Sequence, residues 1–312
     1  MKKLAPSLPL FGWAVWILAA GASSNSAGQV VQNPDPIRVE VDAVNVLVSV
    51  TDKGSGNFVT GLSRDDFEIL EDGVPQVITH FSKETNRPLT IAMCVDTSAS
   101  VRLKLDFEKE AAMDFLHTVM RPTDRALLLE FDTGVTLLND FTSNPNDLAR
   151  AIESLRAGGG TSLYDAIYLV SEQKLLFEDG RKTIIILSDG SDLTSSHTRE
   201  EALRMAHLAD SAIYAISTTR FGAGIDHAGE SALKQLTGST GGRVFFPFST
   251  KQLAEAFSQI EQELRAQYSI TYVPANRERD GTFRKIEVKV RGGSHEVRHR
   301  QGYYAVEPLS SM

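Results

Sequence analysis

From Pro88 to Ala266 the chain alternates short apolar runs with stretches of helical spacing, and this alternation limits the fold more than any other feature of the sequence. Leu89–Val95 is a near-continuous apolar run, the pattern of a strand covered on both faces. Ala126–Phe131 and Thr183–Leu187 read the same way, with a short strand at Val135–Leu138 and others at Ala212–Ser217 and Val244–Phe246. Between them, 103–120 places Leu105, Ala112, Phe115, Leu116 and Val119 on one side of a helix. Further helices are predicted over 148–155, 163–176, 199–209, 229–237 and 250–266. Strands separated by helices need crossover connections, which gives an α/β fold: a doubly wound, mostly parallel, Rossmann-like sheet flanked by helices.

The flanks of this region are β-rich. Residues 37–50 alternate with period two, and a slip of phase after Ala43 predicts a β-bulge there. Turn signals at Asp52-Lys53-Gly54 and Glu71-Asp72-Gly73 border short apolar pieces at Phe67, Ile69, Val77 and Ile78. Beyond 266, Tyr268–Val273, Phe283–Val290 and Glu296–Tyr304 alternate, with turns at Arg279-Asp280-Gly281 and Gly292-Gly293. Neither piece has enough strands to be stable alone. Segments 37–86 and 268–304 are therefore expected to pack as one small antiparallel β domain beside the α/β domain at 88–266.

The N-terminus reads as an export signal. Lys2 and Lys3 precede Leu10–Ala22, a run of 13 residues without charge that ends in Ala20-Gly21-Ala22. A membrane-spanning helix needs about 18 or more apolar residues, so a signal peptide over 1–22, cut after Ala22, is preferred to a retained anchor. A Ser-, Asn- and Pro-containing linker follows over 23–36. The expected location is secreted or periplasmic. Cleavage would leave 30 basic and 40 acidic residues, net −10, which argues against nucleic acid and against an anionic membrane surface. Cys94 has no second cysteine to pair with and lies inside an apolar strand, where packing is its natural role.

Open α/β sheets bind ligands outside the carboxyl ends of their strands. Here the first strand exits into Asp96-Thr97-Ser98-Ala99-Ser100, and a later one into Ser188-Asp189-Gly190. The turn Gly158-Gly159-Gly160-Thr161 leads into a helix. Two carboxylates, three hydroxyls and no Lys or Arg make an all-oxygen donor set, the kind a hard divalent cation such as Mg2+ takes. Taken singly, Asp96, Ser98 and Thr161 would pass for caps and Asp189-Gly190 for a turn. Asp165 fits the start of a helix, and Asp132, after the second strand, is a candidate supporting residue.

In that order on that framework, Asp-x-Ser-x-Ser, the Thr after a glycine-rich turn and the later Asp-Gly resemble the metal-ion-dependent adhesion site of von Willebrand factor type A domains. The likeness covers about 88–266 and includes Gly160-Thr161-Ser162-Leu163-Tyr164-Asp165-Ala166. Val59-Thr60-Gly61-Leu62, Asp65-Asp66-Phe67 and Arg300-Gln301-Gly302-Tyr303-Tyr304 further resemble a bacterial subfamily related to these domains. The resemblance implies Mg2+, with Mn2+ or Ca2+ as alternatives. Ser98, Ser100 and Thr161 would bond it through hydroxyls, Thr161 only with ligand in place. Asp96 and Asp189 would act directly or through water, and a partner carboxylate would fill the sixth position. Val101, Arg102 and Leu103 stand where relatives with an adjacent calcium carry an acidic pair, so no second metal is expected. In such domains the last helix shifts with ligand, here 250–266.

His295-Glu296-Val297-Arg298-His299 matches the zinc-peptidase pattern, but that chemistry needs a helix. In a strand the two histidines would stand about 13 Å apart at ~3.3 Å per residue. No G-x-S-x-G elbow is present, and the triple glycine lacks the Lys of a phosphate loop. The expected function is an exported, non-enzymatic, cation-dependent module that binds a protein or peptide offering a carboxylate, in adhesion or complex assembly. The competing functions are a metal-dependent hydrolase and an envelope scaffold whose metal only stabilises the fold.

Overall fold

The computed structural model describes residues 43–83, 87–219 and 226–306. The signal peptide, the linker and residues 37–42 of the strand expected over 37–50 lie outside the described residues; Ala43, where the bulge is expected, stands just before the first described strand. Alternating valines build β1 (Val44–Asp52), with Val44, Val46, Val48 and Val50 all buried. The first flank continues with β2 (Phe67–Glu71), β3 (Val74–Gln76) and β4 (Ile78–Lys83). Asp72 and Gly73, both at positive φ, turn β2 tightly into β3, as the Asp-Gly pair predicts.

The α/β region follows with β5 (Leu89–Asp96), α1 (Leu105–Val119), β6 (Arg125–Phe131), β7 (Val135–Thr142), α2 (Pro145–Ser154) and α3 (Leu163–Gln173). It continues through β8 (Arg181–Ser188), α4 (Arg199–Leu208), β9 (Ser211–Ser217), α5 (His227–Thr240), β10 (Val244–Phe245) and α6 (Thr250–Ala266). The chain ends its described part with β11 (Tyr268–Tyr272), β12 (Phe283–Val290), β13 (His295–Arg298) and β14 (Gly302–Tyr304). Among the described residues no helix is long and apolar enough to cross a membrane.

The central sheet has the order β10-β9-β8-β5-β6-β7 and is parallel except for β7, which runs antiparallel to β6. One face packs Phe115 and Leu116 of α1, Leu148 and Ile152 of α2, and Phe257 and Ile260 of α6 against Ile91, Met93 and Leu128. The other packs Leu163 and Ile167 of α3, Ala202 and Ala206 of α4, and Leu233 and Leu236 of α5 against Ala92, Leu127 and Ile184. Every residue of β5 is buried, the consequence of cover on both faces. The fold is thus the doubly wound α/β arrangement, with antiparallel sheets in addition.

Those antiparallel sheets, β13-β1-β11-β4 and β14-β12-β2-β3, are four-stranded and share one core. Strands from the two ends of the chain meet in each: β1 pairs with β11, and β2 with β12. Phe67, Phe81 and Tyr268 form an aromatic cluster between them, with centroids 5.1–5.6 Å apart. Glu71 and Arg284 are both buried, and Tyr272 and Tyr303 donate hydroxyl bonds of 2.7 and 3.0 Å to the Glu71 carboxylate.

Three elements differ from the sequence expectation. The strand expected over 135–138 runs on to Thr142, because as an edge strand it is half-exposed and its second half is polar. The helix expected from 148 starts at Pro145, where Asn144 accepts a bond from the Asn146 amide and proline occupies the first turn. The strand expected over 296–304 divides into β13 and β14, which belong to different sheets. Between them the Arg300 guanidinium reaches Asp210 at 2.9 Å and the Asn45 carbonyl at 2.6 Å, and the Gln301 amide bonds to Ser239 O at 2.8 Å.

Candidate functional site

Asp96 is the last residue of β5 and Asp189 follows the last residue of β8; the two strands are neighbours in the sheet. Parallel pairing brings both carboxyl ends to the same edge, so the loop after each strand opens onto common ground. Ser100 Oγ donates to Asp189 Oδ2 at 3.0 Å. Ser98 Oγ lies 2.9 Å from Ser100 Oγ, and since Ser100 spends its proton on Asp189, Ser98 is the donor. Both hydroxyl protons therefore run toward Asp189, which leaves lone pairs on both serine oxygens.

Asp96 is wholly buried. Its Oδ1 accepts from the Ser98 amide at 2.9 Å and its Oδ2 from Ser188 Oγ at 2.7 Å. Burial pushes its carboxyl up to about 6 against the pull of those two serines, and the charge of Asp189 adds to the rise. The carboxylate is thus held in place and incompletely compensated, a position that a nearby positive charge would relieve.

The glycine-rich turn is stitched to the same loop. The Gly158 amide donates to Thr97 O at 2.7 Å and the Ala99 amide to Gly159 O at 3.3 Å. Gly159 takes φ +76, and a Cβ there would stand 2.7 Å from Asp132 Oδ2 and 2.8 Å from Thr133 Oγ1, so only glycine fits. Thr161, two residues on, is buried, and its carbonyl accepts from the Leu193 and Thr194 amides at 2.9 and 3.1 Å. The loop after Asp189 therefore folds back over the turn that carries Thr161. Gly190, at φ +85, lets this loop press on the first turn of α5, where any Cβ would collide with the Gly229 carbonyl.

Asp132 supports the turn from below as a neighbour of Gly159 and accepts from the Gly134 amide at 3.1 Å. Asp165 does more than start α3. It accepts from the Ser196 and His197 amides, each at 2.9 Å, and lies 2.6 Å from His197 Nδ1. Burial opposes ionisation there, but these bonds win and hold its carboxyl below the ordinary range. Ser188 is a residue the sequence reading passed over, although a serine just before Asp189 at the end of a buried strand was the available signal. Glu108 was passed over as well, hidden as one more charge on an amphipathic helix.

The HExxH pair does not make a centre. His295 belongs to strand β13. His299 accepts from the Val288 amide at 3.2 Å through Nε2 and gives Nδ1 to Arg300 O at 2.7 Å, so both ring nitrogens are engaged. Among the described residues no group of three or more His, Cys, Asp or Glu side chains is placed to hold a metal. Asp96, Asp189 and the hydroxyls offer a set of another type, two carboxylates with neutral oxygens, which fits a hard divalent cation and not a soft one.

Residues 91–191 match the von Willebrand factor type A domain family. This stretch of the α/β part is what the chain shares with von Willebrand factor type A domains. A von Willebrand factor type A protein from Catenulispora acidiphila superposes with a TM-score of 0.50 at 13% identity, over 87% of this chain and 75% of that one. Proximal thread matrix protein 1 from the mussel byssus, whose structure has a zinc-occupied MIDAS motif, superposes with a TM-score of 0.50 at 18% identity, over 61% of this chain and 48% of that one. An uncharacterized protein of Synechocystis sp. is 25% identical over 181 residues, 57% of this chain. The match spans 42% of that protein, so this chain accounts for less than half of the curated relative. All but the first two residues of the segment from β5 to β8, with the loops just described, fall inside the matched region.

Proposed function

We propose that this type A domain is a non-enzymatic binding module that holds Mg2+ through Asp96, Ser98, Ser100, Thr161 and Asp189. Through that ion it grips a carboxylate on a protein or peptide partner outside the cytoplasm. The observation that carries the proposal is the bond from Ser100 to Asp189 with Ser98 behind it, which draws oxygens of two separate loops to one point. The half-exposed Asp189 and exposed Ser100 leave that point open to a partner, while Asp96 anchors it from the buried side. The bound ion would supply positive charge that the neutral hydroxyls leave uncancelled, and an acidic side chain is the matching ligand. The zinc-occupied motif of the mussel protein is in keeping with a divalent cation on this fold.

The test is capture. Immobilised protein is exposed to an envelope or secreted-protein extract with Mg2+, with chelator, and as the Asp96→Ala variant. Retention of a partner with Mg2+ only, lost in both other arms, is the expected result. Equal retention by metal-free protein would end the proposal and favour a scaffold whose contacts lie elsewhere.

A further inference from the structure

Glu108 lies in the first turn of α1, buried to 2% exposure, and neither of its carboxylate oxygens has a hydrogen-bond partner. Native proteins pair or hydrogen-bond their buried carboxylates, because a lone anion removed from water is strongly destabilising. Hydrogen bonds link the segment before Glu108 to Asp96, whose charge reaches Glu108. Lys104, one turn earlier, donates to Thr218 O at 2.6 Å. The Thr218 amide donates to Ser188 O at 3.0 Å, and Ser188 in turn holds Asp96. Thr218 Oγ1 is also buried without a partner. The start of α1 and the ends of β8 and β9, which carry these unpaired polar atoms, are thus joined by hydrogen bonds to Asp96 of the candidate cation site.

The charges that reach Glu108 are Asp96 at the end of β5 and Asp189 after β8, which disfavour its anion, and Lys104 on its own element, which favours it. Lys109 turns away to the carbonyls of Glu153 and Leu155 at the end of α2. A divalent cation held by Asp96 and Asp189 would reverse the sign of the field at Glu108.

We propose that Glu108 is a proton-carrying positioning residue of the cation site, neutral without a cation and ionised beside one, so that cation uptake releases its proton. The inference rests on the cation reading above. Burial, with the two site carboxylates, pushes Glu108 up to about 8, so near pH 7 the acid form prevails until an ion arrives. Ionised, Glu108 adds a third negative charge behind the ion and strengthens its retention. A group whose pKa falls on binding makes affinity rise with pH up to its ligand-free pKa. Asp96, pushed up to about 6, contributes only at the acid edge of that range, so the slope between about pH 7 and 8 is the one that reports Glu108.

Calorimetric titration with Mn2+ between about pH 6.5 and 9, in two buffers of different ionisation heat, counts the protons released. Near pH 7 one proton per ion is expected, with affinity rising by up to tenfold per pH unit and levelling above about pH 8. Glu108→Gln keeps the shape and stays neutral, so its affinity should be flat over the window and about tenfold weaker at pH 8. Uptake without proton release, or an unchanged slope in Glu108→Gln, overturns the assignment and leaves the cation site standing. Absence of any uptake overturns both. If the variant fails to fold, the proton count of the unaltered protein decides by itself.

Discussion

At the scale of single residues, the site depends on how Asp96 is held. Ser188 Oγ gives Asp96 one of its two hydrogen bonds in a place closed to water. Ser188→Ala leaves that carboxylate oxygen short of a donor, which costs about 1–3 kcal/mol of stability. Urea unfolding at pH 7.5 without divalent ions should show this loss. Added Mg2+ should recover part of it, since an ion that binds only the folded state stabilises it by mass action. No recovery in Ser188→Ala, where the unaltered protein gains, would mean that Ser188 is needed to form the site at all. The five residues of the proposed site could be named from the sequence because their spacing is short and their loops follow recognisable strands. Ser188 and Glu108 were not, since their roles depend on what stands opposite them in space. A buried unpaired carboxylate and a solvated one read the same in the run Glu108-Lys109-Glu110.

At the scale of elements, α6 is fastened to the β sheets by a pair that no local pattern announces. Arg298 of β13 places Nη2 2.9 Å and Nε 3.2 Å from the two carboxylate oxygens of Glu263, which is fully buried in α6. The residues are 35 apart and sit in elements of different period, so neither helix nor strand spacing links them. Arg298→Ala strands the Glu263 anion and should cost about 3–5 kcal/mol. Arg298→Met with Glu263→Leu removes both charges and should cost far less, because apolar replacements of a buried pair are often tolerated. Denaturant midpoints of the three proteins decide the matter: a double variant as weak as the single one would show that packing matters here and charge does not. The same contrast explains which elements were readable. The strands and helices of the central sheet carry their own periodicity, and all were legible. The polar half of β7 and the break between β13 and β14 were not, because an edge position decides the first and tertiary bonds of Arg300 and Gln301 the second.

At the scale of the whole molecule, the α/β part and the antiparallel sheets also meet where α4 packs on β14. His207 of α4 is buried there, with its ring 5.3 Å from that of Phe283 and 6.2 Å from that of Tyr304. Burial pushes its pKa down to about 4; the nearby Arg300 charge helps, and Asp210 opposes. Above about pH 6.5 the ring is neutral folded and unfolded, and it favours neither state. Below that the unfolded chain takes a proton that the folded one refuses until about pH 4, so stability falls across this interval by up to about 3 kcal/mol. His299, lowered in the same direction by its burial beside Arg300, adds to the trend. Asp96 and Glu108, both raised, pull the other way over this interval, so the readout is the difference between proteins: relative to the unaltered protein, His207→Gln, which does not titrate, should gain up to about 3 kcal/mol on going from pH 6.5 to 4.5 in urea unfolding, measured by far-UV and near-UV signals together. Only one residue, Gln267, separates α6 from β11, and Arg300 and Gln301 tie the turn before β14 to Asp210 and Ser239. Parts so closely linked should lose structure in one transition, with coincident signals at both pH values. An acid-weakened α/β signal that departs before the sheet signal would place the weak point in the interior of the α/β part and not at its seam with the sheets, where His207 lies.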